Sequence, residues 1–90
     1  MPKVAFTPAL KRFFPELKKT EVHANSVAEI VHQLNGLYPG LQDYIVDEHG
    51  RLRKHVNIFV ADSLIEDKET LQDEVKANDE VFIMQALSGG

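Results

Sequence analysis

The chain has 90 residues, of which 43% are hydrophobic and 27% charged, and its formal net charge is −4. This length predicts one small domain, and the absence of cysteine excludes disulfide bonds, thiolate nucleophiles and thiolate metal ligands. No apolar run approaches the roughly 20 residues of a membrane span and no signal peptide is visible, so we expect a cytoplasmic protein with no membrane partner.

The charges are unevenly placed along the chain. Residues 1–55 hold eight Lys and Arg against six Asp and Glu, whereas residues 56–90 hold two Lys against eight Asp and Glu. Because phosphate binding needs a basic surface, the acidic second part argues against nucleic acid as the main partner. The basic run at residues 51–55 is an exception, which we interpret as a solvated loop leading into a strand.

The first part of the chain predicts two short strands joined by a connection. Residues 3–7 alternate apolar and polar side chains, which is the period of a β-strand. Pro8 and Pro15 bracket a segment in which a strand does not continue, so we expect a connecting loop with room for a helical turn. A second short strand is predicted at residues 20–24.

The clearest predicted element is a helix that begins after Ser26. Ser26 and Glu29 have the spacing of a capping box, in which each side chain accepts a hydrogen bond from a free main-chain N–H group. Apolar residues then recur at helical spacing from Val27 to Leu37, so one face of the helix meets a core. The helix ends by Tyr38, because Pro39 disfavours helical geometry in the residue before it.

The second part of the chain predicts one more helical turn and three strands. The turn is expected at residues 41–45, and a β-branched and aromatic central strand at residues 55–61. A short fourth strand is expected around residues 64–65. The last strand covers residues 81–87 and is too hydrophobic for a sheet edge, so we place it near the centre, beside the first strand.

The acidic segment between the fourth and last strands is predicted to be mostly irregular, with Leu71 and Val75 holding a short helical turn. One amphipathic helix after an opening hairpin can cover one face of a sheet. We therefore predict an α+β domain with a mixed four- to five-stranded sheet and one main helix packed across it. The predicted core is Val4, Phe6, Val22, Val27, Ile30, Leu34, Val56, Ile58, Val60, Val81 and Ile83.

The chain continues past the last predicted strand as Ser88, Gly89 and Gly90. Glycine has no Cβ, so a glycine tail can enter a slot that other residues would block. We therefore divide the chain into a domain at residues 1–87 and a flexible C-terminal tail at residues 88–90, whose small residues bury almost nothing.

Three segments carry a family resemblance: VNIFVAD at residues 56–62, ANDEVFI at residues 77–83 and ALSGG at residues 86–90. In this order they resemble the ubiquitin-like β-grasp sulfur carriers of the MoaD/ThiS family. The Val-Asn-Ile strand followed by Asp, and the hydrophobic-small-Gly-Gly ending, are most similar to the CysO-like branch. One departure is Gln85-Ala86, where many molybdopterin-type carriers have prolines.

The resemblance implies that the chain is a carrier and not an enzyme. An adenylyltransferase related to ubiquitin-activating enzymes would bind ATP and join the Gly90 carboxylate to AMP. A sulfur donor would then displace AMP, leaving a thiocarboxylate for a downstream synthase in cofactor, cysteine or thio-metabolite biosynthesis. The chain itself would bind no cofactor. Gly90 would be the covalent site and Gly89 would give clearance in the partner, with Leu87 and Ser88 lining the tail.

An apolar patch is the second candidate site. If Val56, Ile58 and Val60 face the helix, the alternation of a strand turns Phe59 to the other face, and the same reasoning applies to Phe82 and Met84. An antiparallel sheet can leave one face exposed to solvent, and exposed apolar patches usually mark interfaces. We therefore predict that Phe59, Phe82 and Met84 form a partner-binding patch beside the tail, unless residues 8–19 cover them.

No other cluster has the spacing of a chemical site. The four histidines show no metal-ligand spacing, and the acidic residues of the 66–74 segment lack the ordered ligands and turn glycine of a calcium loop. No nucleophile with a base and an orienting group can be proposed. The sequence therefore predicts no metal site.

Two other functions stay open at this point. One is a ubiquitin-like protein modifier, conjugated through Gly90 to lysine. The other is a non-covalent β-grasp binding module whose glycines are incidental. The carrier and the modifier share their activation chemistry, so the sequence separates them poorly.

Overall fold

The structure is a computed structural model and describes residues 1–85. Within these residues the chain forms five strands, two α-helices and one 3₁₀ helix. In chain order they are β1 Lys3–Phe6, the 3₁₀ helix Pro8–Arg12, β2 Thr20–Glu21, α1 Val27–Leu37, α2 Gln42–Ile45, β3 Val56–Val60, β4 Ser63–Leu64 and β5 Glu80–Gln85.

The strands form one mixed sheet in the order β2-β1-β5-β3-β4. Strand β5 pairs parallel to β1 and antiparallel to β3. The hydrophobic last strand therefore lies at the centre of the sheet, beside the first strand, as its composition predicts. The predicted α+β class, with a mixed sheet and one main helix, is confirmed.

One face of the sheet is buried against the helical layer. In β5, Val81 and Ile83 are buried, whereas Phe82 between them is exposed. Ile58 of β3 lies directly opposite Ile83, and both side chains are fully buried. The predicted register is therefore confirmed. Nine of the eleven predicted core residues are buried, and the other two, Phe6 and Val60, are partly buried and pack against them.

The N-terminus of α1 is capped, with one difference from the prediction. The Ser26 hydroxyl accepts a hydrogen bond from the Glu29 main-chain N–H at 3.2 Å. The Glu29 carboxylate, however, accepts from the N–H of Asn25 at 2.7 Å, one residue before the predicted Ser26. Both bonds satisfy donors that a helix start would otherwise leave free. The helix ends at Leu37, as expected from Pro39.

The connection between β1 and β2 contributes to the core in a way that the sequence pattern did not indicate. Leu10 and Leu17 are 1% and 2% exposed. Leu10 lies on the 3₁₀ helix between the two prolines, and Leu17 lies in the loop that follows. Other buried residues outside the predicted core are Ala24, Val31, Leu41, Ile45, Val46, Ile65, Leu71 and Val75.

The predicted helical turn around Leu71 and Val75 is wrong. Both side chains are buried, but the segment forms a hydrogen-bonded turn at residues 68–70 and no helix. Leu71 has a φ of 57°, which a right-handed helix does not allow. A helix does not form here because the Asp67 carboxylate accepts hydrogen bonds from the N–H groups of Glu69, Thr70 and Gln72. Asp side chains that bond to nearby main-chain groups compete in this way with the hydrogen bonds of a helix.

A hydrogen bond from the Thr70 hydroxyl to the Asp67 carboxylate is the largest cause of a lowered pKa, and together with the main-chain hydrogen bonds it brings the pKa of Asp67 from 3.8 to about 2. Because the pKa is lower in the folded state, the ionised carboxylate stabilises the fold above pH ~4, and this stabilisation is lost as the pH falls towards 2. We expect Asp67→Asn to lower the urea midpoint of unfolding at neutral pH. The deficit should shrink when the titration is repeated at acid pH.

Glu74→Gln is the matched control for this experiment, because its side chain is exposed in the same segment. It should leave the urea midpoint nearly unchanged. Equal midpoints for Asp67→Asn and the unmodified protein at neutral pH would show that the Asp67 hydrogen bonds do not stabilise the fold.

Within residues 1–85, every helix is too short or too polar to span a membrane.

Candidate functional site

The predicted tail residues Leu87, Ser88, Gly89 and Gly90 lie outside the described residues, as does the predicted domain boundary after residue 87. The structure does describe the strand that leads to them. Strand β5 ends at Gln85, so the surroundings of Gln85 form the place where the tail begins.

Two hydrogen bonds that involve Thr7 hold the end of β5. The Thr7 N–H donates to the Ile83 carbonyl oxygen at 3.1 Å, and the Thr7 hydroxyl accepts from the Gln85 N–H at 3.1 Å. The residue that follows the parallel strand β1 thus holds β5 up to its last described residue. Sequence reasoning missed Thr7, although a hydroxyl at the end of a strand that pairs with β5 is a signal that could have indicated it.

The three residues of the predicted patch lie on the face of the sheet opposite the helical layer. Phe59 and Phe82 are paired directly across β3 and β5. Phe82 is 37% exposed, whereas Phe59 and Met84 are half-buried. We call these three residues the sheet patch. Its role in binding a partner stays a prediction.

A groove of about 590 Å³ continues from the sheet patch at Met84 to Gln85, the last described residue. We call it the Met84 groove, and its walls are Thr7, Pro8, Ala9, Arg12, Met84 and Gln85. The 3₁₀ helix forms one side of this groove. The β1–β2 connection therefore borders the sheet patch at Met84 and leaves Phe82 exposed.

A second groove, of about 300 Å³, reaches Gln85 through a different set of residues. We call it the Phe13 groove, and it is lined by Phe13, Asp43, Tyr44, Arg53, His55 and Gln85. The basic run at residues 51–55 forms a loop that leads into β3, as the sequence indicated, and two of its residues also line this groove. Both Arg53 and His55 are half-buried.

Titratable side chains do not cluster into a metal site in the part of the chain that the structure describes. Within residues 1–85, no three His, Asp or Glu side chains are grouped so that they could hold a metal ion. Resolved pKa shifts occur at Asp67 and at Asp47, whose pKa is lowered mainly by the hydrogen bond from the Arg51 main chain. Both carboxylates accept main-chain hydrogen bonds within turns.

Solved structures share this architecture over nearly the whole chain. A chain in the crystal structure of the Amycolatopsis orientalis BexX/CysO complex is 26% identical, with a TM-score of 0.85 and 100% of both chains covered. Mycobacterium tuberculosis CysO is 21% identical, with a TM-score of 0.83, and the match covers 97% of this chain and 100% of that one. Haloferax volcanii SAMP1 is 20% identical, with a TM-score of 0.77 and 99% and 98% covered.

These likenesses confirm the predicted ubiquitin-like β-grasp fold. None of the curated proteins matches the sequence significantly. The sequence model of the ThiS family, however, matches residues 9–90. This match confirms the resemblance that the strand and tail motifs indicated: the chain belongs to the ThiS family of small ubiquitin-like sulfur carriers, which are carrier proteins rather than enzymes.

Proposed function

We propose that this protein carries sulfur on the Gly90 carboxylate, which a partner adenylyltransferase activates with ATP and a sulfur donor converts to a thiocarboxylate. A downstream synthase then takes the sulfur for the biosynthesis of a cofactor, cysteine or another thio-metabolite. The observation that carries the proposal is the ThiS family match, which extends through residue 90 and so includes the Gly-Gly tail.

The first step makes the carboxylate reactive. A carboxylate oxygen of Gly90 attacks the α-phosphorus of ATP, the bond from that phosphorus to the β-phosphate oxygen breaks, and pyrophosphate leaves. In the second step hydrosulfide from the donor attacks the acyl carbon. The bond from that carbon to the AMP oxygen breaks, AMP leaves with the electron pair, and the sulfur loses its proton. The product is an ionised thiocarboxylate.

The chain contributes position and recognition to these steps. Thr7 holds β5 at both Ile83 and Gln85, so the tail starts from a fixed point on the domain. The partner enzymes supply the groups that bind ATP and move protons. Partner enzymes are in keeping with the related structure, which is a BexX/CysO complex.

The test is the intact mass of the protein after incubation with ATP, sulfide and the adenylyltransferase of its own host. We expect a mass gain equal to the replacement of one oxygen atom by sulfur, located at residue 90 by fragmentation. Omission of ATP should abolish the gain. Covalent ladders on lysines of other proteins, without thiocarboxylate, would favour the modifier function, and an unchanged mass would contradict the proposal.

The sheet patch is the proposed docking surface for the adenylyltransferase. We expect Phe82→Asp to weaken the complex by roughly 1–3 kcal/mol, as for a contributing interface residue. The fold should persist because Phe82 is 37% exposed on the face away from the helix. A binding titration, with circular dichroism as the control, checks both expectations. Unfolding of this variant would show that Phe82 is a core residue.

A further inference from the structure

Phe13 presents an exposed aromatic ring that is nevertheless held in place. The side chain is 54% exposed, and its ring centre lies 4.8 Å from that of Tyr44. Phe14 meets the same Tyr44 ring edge-on at 5.2 Å, and the N–H groups of Phe13 and Phe14 both donate to the Leu10 carbonyl oxygen. A rigid aromatic side chain loses little entropy when a partner covers it, and such residues often dominate binding energy.

The Phe13 groove has a cationic wall beside this ring. The Nε–H of Arg53 donates to the Asp43 carbonyl oxygen at 2.8 Å, which orients the guanidinium. Arg53 forms no ion pair within residues 1–85, and the exposed Lys54 follows it. A guanidinium in a fixed orientation is well suited to bind a carboxylate through its remaining N–H groups.

Gln85 lines the Phe13 groove as well as the Met84 groove. Because Gln85 is the last residue of β5, a segment bound in the Phe13 groove reaches the end of this strand. The Oε1 atom of Gln85 is buried, so the groups that the Phe13 groove offers to a partner are the Phe13 ring and the Arg53 guanidinium.

We propose that the Phe13 groove binds an extended, acidic segment of the enzyme that acts on the tail; the identity of this partner rests on the proposed function. An apolar side chain of the segment packs on Phe13, and a carboxylate binds Arg53. An acidic polypeptide supplies both groups in one segment. Asp43 also lines the groove, so a triphosphate, which brings several negative charges, is repelled more strongly than a single carboxylate.

The groove and the sheet patch share no residue, so their contributions can be measured separately. Adenylation is followed by ATP–pyrophosphate exchange, with the protein as the varied substrate of its host's adenylyltransferase. We expect Phe13→Ala and Arg53→Glu each to raise KM for the protein about tenfold or more, the loss typical of an interface residue that contributes strongly. The value of kcat at saturation should stay within about twofold, because the tail is unchanged.

His32→Ala and Lys68→Glu are the matched controls. His32 is exposed on α1 and Lys68 is exposed in the acidic segment, and neither lines a groove at Gln85 or belongs to a strand of the sheet. Both should leave KM unchanged. Circular dichroism on each variant separates lost docking from lost folding, and Arg53→Glu tests the groove even where Phe13→Ala is destabilised.

Three results would overturn the inference. The first is an unchanged KM for both folded groove variants. The second is a raised KM for ATP in place of a raised KM for the protein, which would make the groove a nucleotide site. If the protein is not adenylated at all, the proposed function fails and the groove is tested separately.

The separate test is an NMR titration with an acetylated Asp-Glu-Leu-Glu-Asp peptide. Saturable chemical-shift changes at Phe13, Arg53 and Gln85 that a Lys-Lys-Leu-Lys-Lys peptide does not cause support the inference. The third overturning result is the absence of these changes.

Discussion

Deletion of Gly90 should abolish adenylation while leaving most of the affinity for the adenylyltransferase. The shortened chain still ends in a glycine carboxylate, but one residue of extended chain spans about 3.3–3.6 Å. A carboxylate withdrawn by that distance cannot reach the α-phosphorus of ATP while the domain stays docked. Because a misplacement of about 1 Å can cost 100-fold in rate, we expect a loss of at least ~100-fold in ATP–pyrophosphate exchange.

Adding one glycine after Gly90 provides the complementary test. The extended chain keeps every native residue, yet its carboxylate is displaced by the same length in the other direction, so exchange should again be lost. Both variants should bind the adenylyltransferase with nearly native affinity, since the sheet patch and both grooves are unchanged. Normal exchange by the Gly90 deletion would show that the Gly90 carboxylate is not the reactive group.

A substitution at Gly89 separates the length of the tail from the space that the partner's slot leaves for a side chain. Gly89→Val preserves the length of the tail and its carboxylate but adds a branched Cβ, which a slot shaped for glycine excludes. Loss of exchange with unchanged stability would therefore assign clearance to Gly89. Retained exchange would show that the partner leaves room for a side chain at this position.

The elements that the sequence predicted well are those whose signal is local. In α1 the apolar spacing and the Ser26 cap lie within a few residues of each other. In β3 and β5 the buried residues Val56, Ile58, Val81 and Ile83 alternate with less buried ones, and this period sets the register. The central place of β5 follows from a different property: the strand is apolar on both faces, which is costly at an edge.

The elements that the sequence did not predict depend on contacts between distant segments. Leu10 and Leu17 follow no period, so nothing local distinguishes them from exposed leucines, and both are buried because they join the hydrophobic core that distant segments form. Likewise Phe13 and Phe14 are adjacent and chemically identical, but only Phe13 is exposed. The Phe13 groove combines α2, the loop before β3 and the end of β5, which only the topology brings together.

The interior of the sheet should be the most sensitive part of the domain. Ile58 is fully buried at the centre of β3, and truncation to alanine removes its packing and leaves a cavity. We expect Ile58→Ala to cost roughly 2–5 kcal/mol. For a domain of this size, 1 kcal/mol shifts Tm by about 4–8 °C, so the variant should melt at least ~8 °C below the unmodified protein. Leu64→Ala, at a position that is 43% exposed, should lie within about 0.5 kcal/mol of the unmodified protein.

The cost at Ile58 should also depend on Ile83, which faces it across β3 and β5. Once Ile83→Ala has opened a cavity, removing Ile58 deletes contacts that are already partly lost, so the double variant should be more stable than the sum of the single losses implies. Contacting residues typically show coupling of about 0.5–3 kcal/mol. Urea titrations of the two single variants and the double variant measure this term. Strict additivity would show that the two side chains do not pack against each other, and a loss below ~1 kcal/mol for Ile58→Ala would place Ile58 outside the core.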